Sequence, residues 1–203
     1  MSSPAVPAPA SAYPLQLALE SPPDHIERWR PIVQWFLAIP HFVVLYVLAL
    51  VQRVVLIISF FAILFTGKMP EGLFAFNAMV LRYQWRVASY ALFMREEYPE
   101  FAFPMEGADP GTEPARLSVQ PADTLSRGLI FVKWLLAIPH YIILLFLYIA
   151  VYVVAIIAFF VVIFTGSWPP GMRDFVVGVM RWSSRVSAYV LLMTDQYPPF
   201  SLD

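Results

Sequence analysis

Cysteine is absent from this chain of 203 residues, which excludes disulfides, thiolate nucleophiles and cysteine-ligated metals. Charge is scarce too. Asp, Glu, Lys and Arg supply 13% of the residues, and 13 basic against 14 acidic side chains leave a net charge of -1. No basic field therefore marks a nucleic-acid partner. No acidic residue occurs between Glu27 and Glu71 or between Asp123 and Asp174. Within the first long apolar run the only cation is Arg53, and the second, Leu135 to Phe164, has none. Residues 1–12 lack the basic and apolar regions of a cleavable signal, so the first apolar run is expected to act as an uncleaved insertion signal behind a disordered Pro/Ala/Ser tail.

What fills the chain instead is apolar: 60% of residues are hydrophobic and the mean hydropathy is +0.68. A core of this size cannot hide that much apolar surface, which places the chain in the membrane class.

The sequence is duplicated. Leu37-Ala38-Ile39-Pro40-His41 recurs 99 positions later as Leu136-Ala137-Ile138-Pro139-His140, and Phe65-Thr66-Gly67 recurs as Phe164-Thr165-Gly166. At the same spacing Arg82 and Arg86 match Arg181 and Arg185, and Tyr98-Pro99 matches Tyr197-Pro198. A gapless match of this length is duplication. The expected organisation is a tail at 1–12, a membrane repeat at 13–101, a solvated linker at 102–111 and a second repeat at 112–203. Leu15 to Leu19 and Leu117 to Val119 alternate in a way that allows a small strand pair.

The fold expected is all-α and integral to the membrane, each repeat a long transmembrane helix followed by an amphipathic helix. Ile32 to Phe65, as one helix, is about 51 Å long against a hydrocarbon core of about 30 Å. Two geometries fit: a helix kinked at Pro40, or a hairpin turning near Gln52 and Arg53. The matching positions Val151 and Tyr152 carry no turn residue, which favours the kinked helix. Kinked, the helix puts Arg53 near the bilayer centre; folded back, it puts Arg53 at a surface. Beyond Gly67, Leu73, Phe76, Val80, Tyr83, Val87, Ala91 and Met94 recur at helical spacing with Arg82 and Arg86 on another face. That pattern fits a helix lying in the interface with its cations at headgroup depth. Trp29, Trp35, Trp134 and Trp168 are expected in aromatic belts. An even number of crossings per repeat would place all the flanking basic residues, and both termini, on the cytoplasmic side and make the repeats parallel.

The run Phe65-Thr66-Gly67-Lys68-Met69-Pro70-Glu71-Gly72-Leu73, the helix carrying Arg82 to Tyr90, and the close Tyr98-Pro99-Glu100-Phe101 resemble the bacterial membrane family called domain of unknown function 4389, in both repeats. The resemblance implies a protein of the bacterial inner membrane and no activity. The second repeat departs at Ser167 for Lys68, Ser184 for Trp85 and Tyr152 for Arg53.

Four sets of candidate residues stand out. Arg82 with Arg86, and Arg181 with Arg185, are four residues apart on one helical face, so each pair could grip one phosphate of a lipid headgroup; otherwise they anchor the helix or pair with Glu96, Glu97 and Asp195. His41 and His140 follow the kinking prolines and could ligate a metal, a haem or a chlorin, or serve only to satisfy a carbonyl freed by Pro40 or Pro139. Pro40 and Pro139 are the kinks, Gly67 and Gly166 the turns. No catalytic constellation, phosphate loop or His-x-x-x-His pair is present. The function expected is therefore non-catalytic: lipid binding, membrane shaping, or an accessory subunit of a larger membrane complex, with no bound cofactor. The alternatives are a small oligomeric transporter or channel, and pigment or haem ligation through His41 and His140.

Overall fold

A computed structural model describes residues 13–20, 25–106 and 108–203; the expected tail at 1–12 lies outside them. Long apolar stretches free of Gly build the main helices, and Gly or Pro ends them. Helix α1 (Arg30–Thr66) opens with Pro31 in its first turn and closes on Gly67, whose φ of 70° no β-carbon-bearing residue adopts freely. Helix α2 (Glu71–Ala91) follows a Pro70 entry. In the second repeat a 3-10 turn (Leu129–Phe131) and a short helix α3 (Lys133–Leu136) lead into α4 (Ile138–Thr165), which ends on Gly166 at φ 75°. Helix α5 (Pro170–Val190) completes the repeat.

The hairpin alternative is overturned: α1 runs without a turn through Gln52 and Arg53, and α4 through Val151 and Tyr152. Continuous backbone hydrogen bonding leaves no reason to bend where no Gly or Pro frees the chain. Pro40 is held inside α1, whereas its counterpart Pro139 begins α4 as a separate helix. In each repeat a tyrosine hydroxyl beside the proline bonds the helix backbone, Tyr98 donating to Leu37 O (3.4 Å) and Tyr197 to Leu136 O (3.1 Å).

The architecture is mostly helical rather than all-α. Strands β1 (Leu15–Leu19) and β2 (Ala115–Val119) pair antiparallel with Leu17 opposite Leu117. Their alternation is the physical signal: Leu15, Leu17, Ala115, Leu117 and Val119 point inward and are buried, while Gln16, Ala18 and Arg116 face out. Each strand packs on the other repeat's helix, β1 on α5 and β2 on α2.

Reciprocal hydrogen bonds give the two repeats a pseudo-two-fold relation. Ile26 N–H donates to Gly166 O and Leu125 N–H to Gly67 O; Glu20 N–H donates to Pro114 O and Gln120 N–H to Pro14 O. The long helices consequently run in opposite directions: α1 starts where α4 ends, and Phe60 near the end of α1 meets Phe131 just before α4, ring centroids 5.2 Å apart. Phe93 and Leu192 follow α2 and α5 in left-handed conformations, φ 58° and 62°. Their side chains reach across, Phe93 to Phe159 on α4 and Leu192 into a cluster with Ile63 on α1. Packing between repeats holds these two residues in a conformation that costs about 1–2 kcal/mol for a non-glycine residue.

Three layers result. Helices α1 and α4 form one, α2 and α5 the middle, and the strand pair the third. Each long helix buries only one stripe, in α1 Gln34, Ala38, His41, Val55, Ser59 and Ile63, and exposes the other half of its circumference. That half is apolar: Trp35, Phe36, Phe61 and Phe65 on α1 and Phe146, Tyr152, Phe160 and Phe164 on α4 are all more than half exposed. Both helices are long and apolar enough to cross a membrane.

Candidate functional site

Arginines 82 and 86 are not presented to solvent or to a headgroup. Their helix lies between α1 and β2, and the chain from 104 to 113 closes over their face. Arg82 is 1% and Arg86 2% exposed. The Asp109 carboxylate bridges the pair, one oxygen 3.3 Å from Arg82 Nε and the other 3.6 Å from Arg86. Glu113 does the same for Arg86 (3.4 Å) and Arg95 (2.6 Å). Arg82 also donates to the backbone of Leu117, Pro104 and Glu106. Burial draws the Arg82 guanidinium below its usual range and Asp109 opposes that shift. A headgroup would have to displace carboxylates already in place, so the expectation of a lipid grip by Arg82 and Arg86 does not fit this packing. The stretch read as a solvated linker in fact supplies one of the buried carboxylates, Asp109, and Glu113 just beyond it supplies the other; both side chains are 7% exposed. Glu96 and Asp195, the partners anticipated from sequence, pair instead with Arg30 (3.3 Å) and Lys133 (2.7 Å).

The second repeat repeats the arginines without their acids. Arg181 Nε donates to Leu17 O, as Arg82 Nε does to Leu117 O, and its terminal nitrogen donates to Leu202 O at 2.9 Å. Among the described residues neither Arg181 nor Arg185 has a carboxylate within 4.0 Å. The reason lies in the strand alignment. Across the strands the repeats correspond at a spacing of 100, set by the reciprocal bonds of Pro14 with Gln120 and of Pro114 with Glu20. Tyr13-Pro14 therefore stands where Glu113-Pro114 does; in sequence Asp109 aligns with Pro9, which lies outside the described residues. The Tyr13 ring lies 5.8 Å from the Arg185 guanidinium carbon, and its hydroxyl donates to Arg185 O at 3.2 Å. Burial lowers the Arg185 guanidinium and Arg181 lowers it further, while Tyr13 and the Asp203 carboxylate, which stands off without forming an ion pair, oppose the shift; burial raises the Tyr13 phenol.

The histidines are enclosed, each by its own repeat. His41 and His140 are both 0% exposed. His41 stacks on Phe101 at 4.3 Å and 7°, His140 on Phe200 at 4.0 Å and 11°, and Tyr98 and Tyr197 cover them at 4.7 and 4.9 Å. The closing Tyr-Pro-x-Phe motif is thus the wall of a histidine pocket. His41 Nδ1 lies 2.6 Å from the Tyr83 hydroxyl, and His140 Nδ1 accepts from Trp182 Nε1 at 3.0 Å. An indole N–H only donates, so Nδ1 of a neutral His140 accepts and Nε2 carries the proton. Nε2 of both rings is buried without a partner. Among the described residues no three His, Asp or Glu side chains gather as metal ligands.

The remaining candidates divide. Gly67 and Gly166 are the two turns, and their carbonyls receive the inter-repeat bonds. Arg53 projects from the exposed side of α1. Trp29, Trp35 and Trp134 are exposed, but Trp168 is buried and donates its indole N–H to Leu92 O at 3.1 Å, so it belongs to the inter-repeat core and not to an aromatic belt. Asp109, Glu113 and Tyr13 were missed by reading the helices alone. The signal was available in the strands, where Tyr-Pro aligns with Glu-Pro once the spacing between repeats becomes 100.

The chain belongs to the family described as Domain of unknown function (DUF4389). The family model matches it twice, at residues 28–103 and 127–201, one match per repeat. No curated protein and no solved structure matches it.

Proposed function

We propose that this is a non-catalytic membrane protein whose antiparallel pair α1 and α4 lies in one leaflet of the bilayer, with lipid as its main partner. The observation that carries this reading is the one-sided distribution of apolar surface. Eight aromatic side chains on the outer halves of α1 and α4 are more than half exposed, on the order of 1,000 Å² of apolar surface, well beyond the patches soluble proteins leave to water. The opposite layer holds the strand pair and the buried ions.

The layering favours helices along the membrane over helices across it. The pseudo-two-fold axis passes between the strands and between the long helices, so an upright α1 would carry β1, β2, Asp109 and Glu113 to the depth of the hydrocarbon, where exposed strand edges and charges are costly. Laid flat, the same molecule keeps that layer in water. Arg53 then needs no central site, which by insertion scales costs about 3 kcal/mol, because its long side chain can reach the headgroups. An inserted helix pair adds area to one leaflet only, which is how such a protein would shape a membrane. The family resemblance and the basic flanks support the cytoplasmic face of a bacterial inner membrane.

The test is extraction of native membranes at alkaline pH and high salt. The protein should stay with the lipid, since its hold is apolar; release into the aqueous fraction as a soluble species would reject the reading.

A further inference from the structure

The two arginine pairs of this chain are the same device with and, among the described residues, without a carboxylate in direct contact; Asp203 acts on Arg185 only from a distance. In the first, Asp109 and Glu113 bring two negative charges to Arg82, Arg86 and Arg95. The geometry there is direct evidence that guanidinium groups four residues apart on this helix bridge one oxyanion. In the second, Arg181 and Arg185 hold the same helical positions under the same strand carbonyl contact, yet Tyr13 replaces the glutamate and Thr194 replaces Arg95. Residues 1–12 contain no Asp or Glu.

Arg181 and Arg185 line an open cleft of about 620 Å³ between β1, β2 and α5 that Tyr13, Leu17 and Arg116 also border. Asp109 lines the cleft as well, with its carboxylate committed to Arg82, Arg86 and the backbone N–H of Leu117. Among the described residues Arg185 Nε is buried with no hydrogen-bond partner. Two neighbouring cations, one with an unmet buried donor, face a cavity large enough for a tetrahedral oxyanion.

We infer that this cleft is an oxyanion site that takes a phosphate group on Arg181 and Arg185, the exogenous ligand replacing the carboxylates built into the first repeat. A phosphate monoester or inorganic phosphate carries close to the two charges that Asp109 and Glu113 supply in the first site, and its oxygens suit paired guanidinium groups. The Tyr13 ring stands over the Arg185 guanidinium, and both line the cleft. The site stands independently of the membrane reading, because it lies on the layer opposite the apolar face.

The experiment uses the full chain in mild detergent, titrated first with inorganic phosphate by calorimetry and then with short-chain phosphatidic acid and phosphatidylglycerol by native mass spectrometry. Saturable one-to-one binding of either probe supports the site. Phosphate binding alone identifies a free phosphate ligand, and retention of headgroup lipid alone identifies a lipid. Two variants assign it. Arg185→Gln removes a guanidinium that no acceptor holds among the described residues, and should weaken binding at least tenfold. Tyr13→Glu restores the carboxylate of the first repeat and should abolish binding while the melting temperature holds or rises. Absence of saturable binding to all three probes, or binding by both variants as tight as that of the unmodified chain, overturns the inference.

Discussion

Replacing Asp109 with Asn tests the buried ion cluster with little change of shape. Asn keeps an oxygen for the Leu117 N–H, which Asp109 accepts at 2.7 Å, but removes the charge that bridges Arg82 and Arg86. Both guanidinium groups are nearly inaccessible to water, so hydration cannot make up the loss. Breaking a buried pair by removing one partner costs about 3–5 kcal/mol. In a chain of this size 1 kcal/mol moves the melting temperature by about 2–4 °C, so Asp109→Asn should lower it by about 6–20 °C. The assay is thermal unfolding in detergent, followed by circular dichroism. The companion Arg181→Gln touches, among the described residues, only the bonds to the carbonyls of Leu17 and Leu202; the Gln amide can keep one of them, so the net loss of one should cost about 1.5–3 kcal/mol. A shift of under 2 °C for Asp109→Asn, or a larger loss for Arg181→Gln, would refute the view that only the first pair is internally neutralised.

Other consequences concern the turns and the tyrosines. Gly166→Ala should destabilise more than Gly67→Ala: both need φ near 70°, at about 1–2 kcal/mol, but a β-carbon at Gly166 also collides with the His25 ring and presses on Ile26 O, while at Gly67 the nearest atom is Arg127 Nε at 3.4 Å. Equal losses in denaturant melts would contradict the close inter-repeat approach at Gly166. Burial first, then Tyr98 and Glu113, push the Tyr83 phenol up to about 12 from 10.0. Because the folded state holds that proton more tightly, Tyr83 favours folding below pH 10, and this contribution is lost as the pH climbs from 10 toward 12. Tyr83→Phe should flatten that alkaline loss of stability and remove one late-titrating tyrosinate from the absorbance curve, leaving Tyr13, which burial raises further, as the last to titrate; an unchanged titration curve would place the shifted phenol elsewhere.

Much of the fold was legible because duplication and helical periodicity are local signals. The gapless spacing from Trp35 to Phe200 gave the repeats, and Gly67 and Gly166 marked the ends of the long helices. What local signals could not give was how the repeats pack. The helices α2 and α5 carry an apolar stripe beside arginines, a pattern equally suited to a membrane interface and to a helix buried against a strand. The choice fell to Asp109 and Glu113, about 25 residues along the chain from the arginines they neutralise, in a stretch whose Pro, Gly and Glu content reads as solvated. The exchange of strands between repeats is likewise invisible to periodicity, since Leu17 pairs with Leu117 but packs on the helix of the other repeat. The histidines were found correctly as a matched pair, but their partners were set by the Tyr-Pro-x-Phe close folding back over them, a contact spanning about 60 residues.

The central claim is that α1 lies along a membrane and not across it, and the absence of cysteine makes it directly measurable. Single cysteines introduced as Arg28→Cys and Lys68→Cys flank the two ends of α1. In sealed inner-membrane vesicles of known orientation, a membrane-impermeant maleimide should label both positions from the cytoplasmic side alone. Labelling of the two positions from opposite sides would establish an upright crossing and contradict the account.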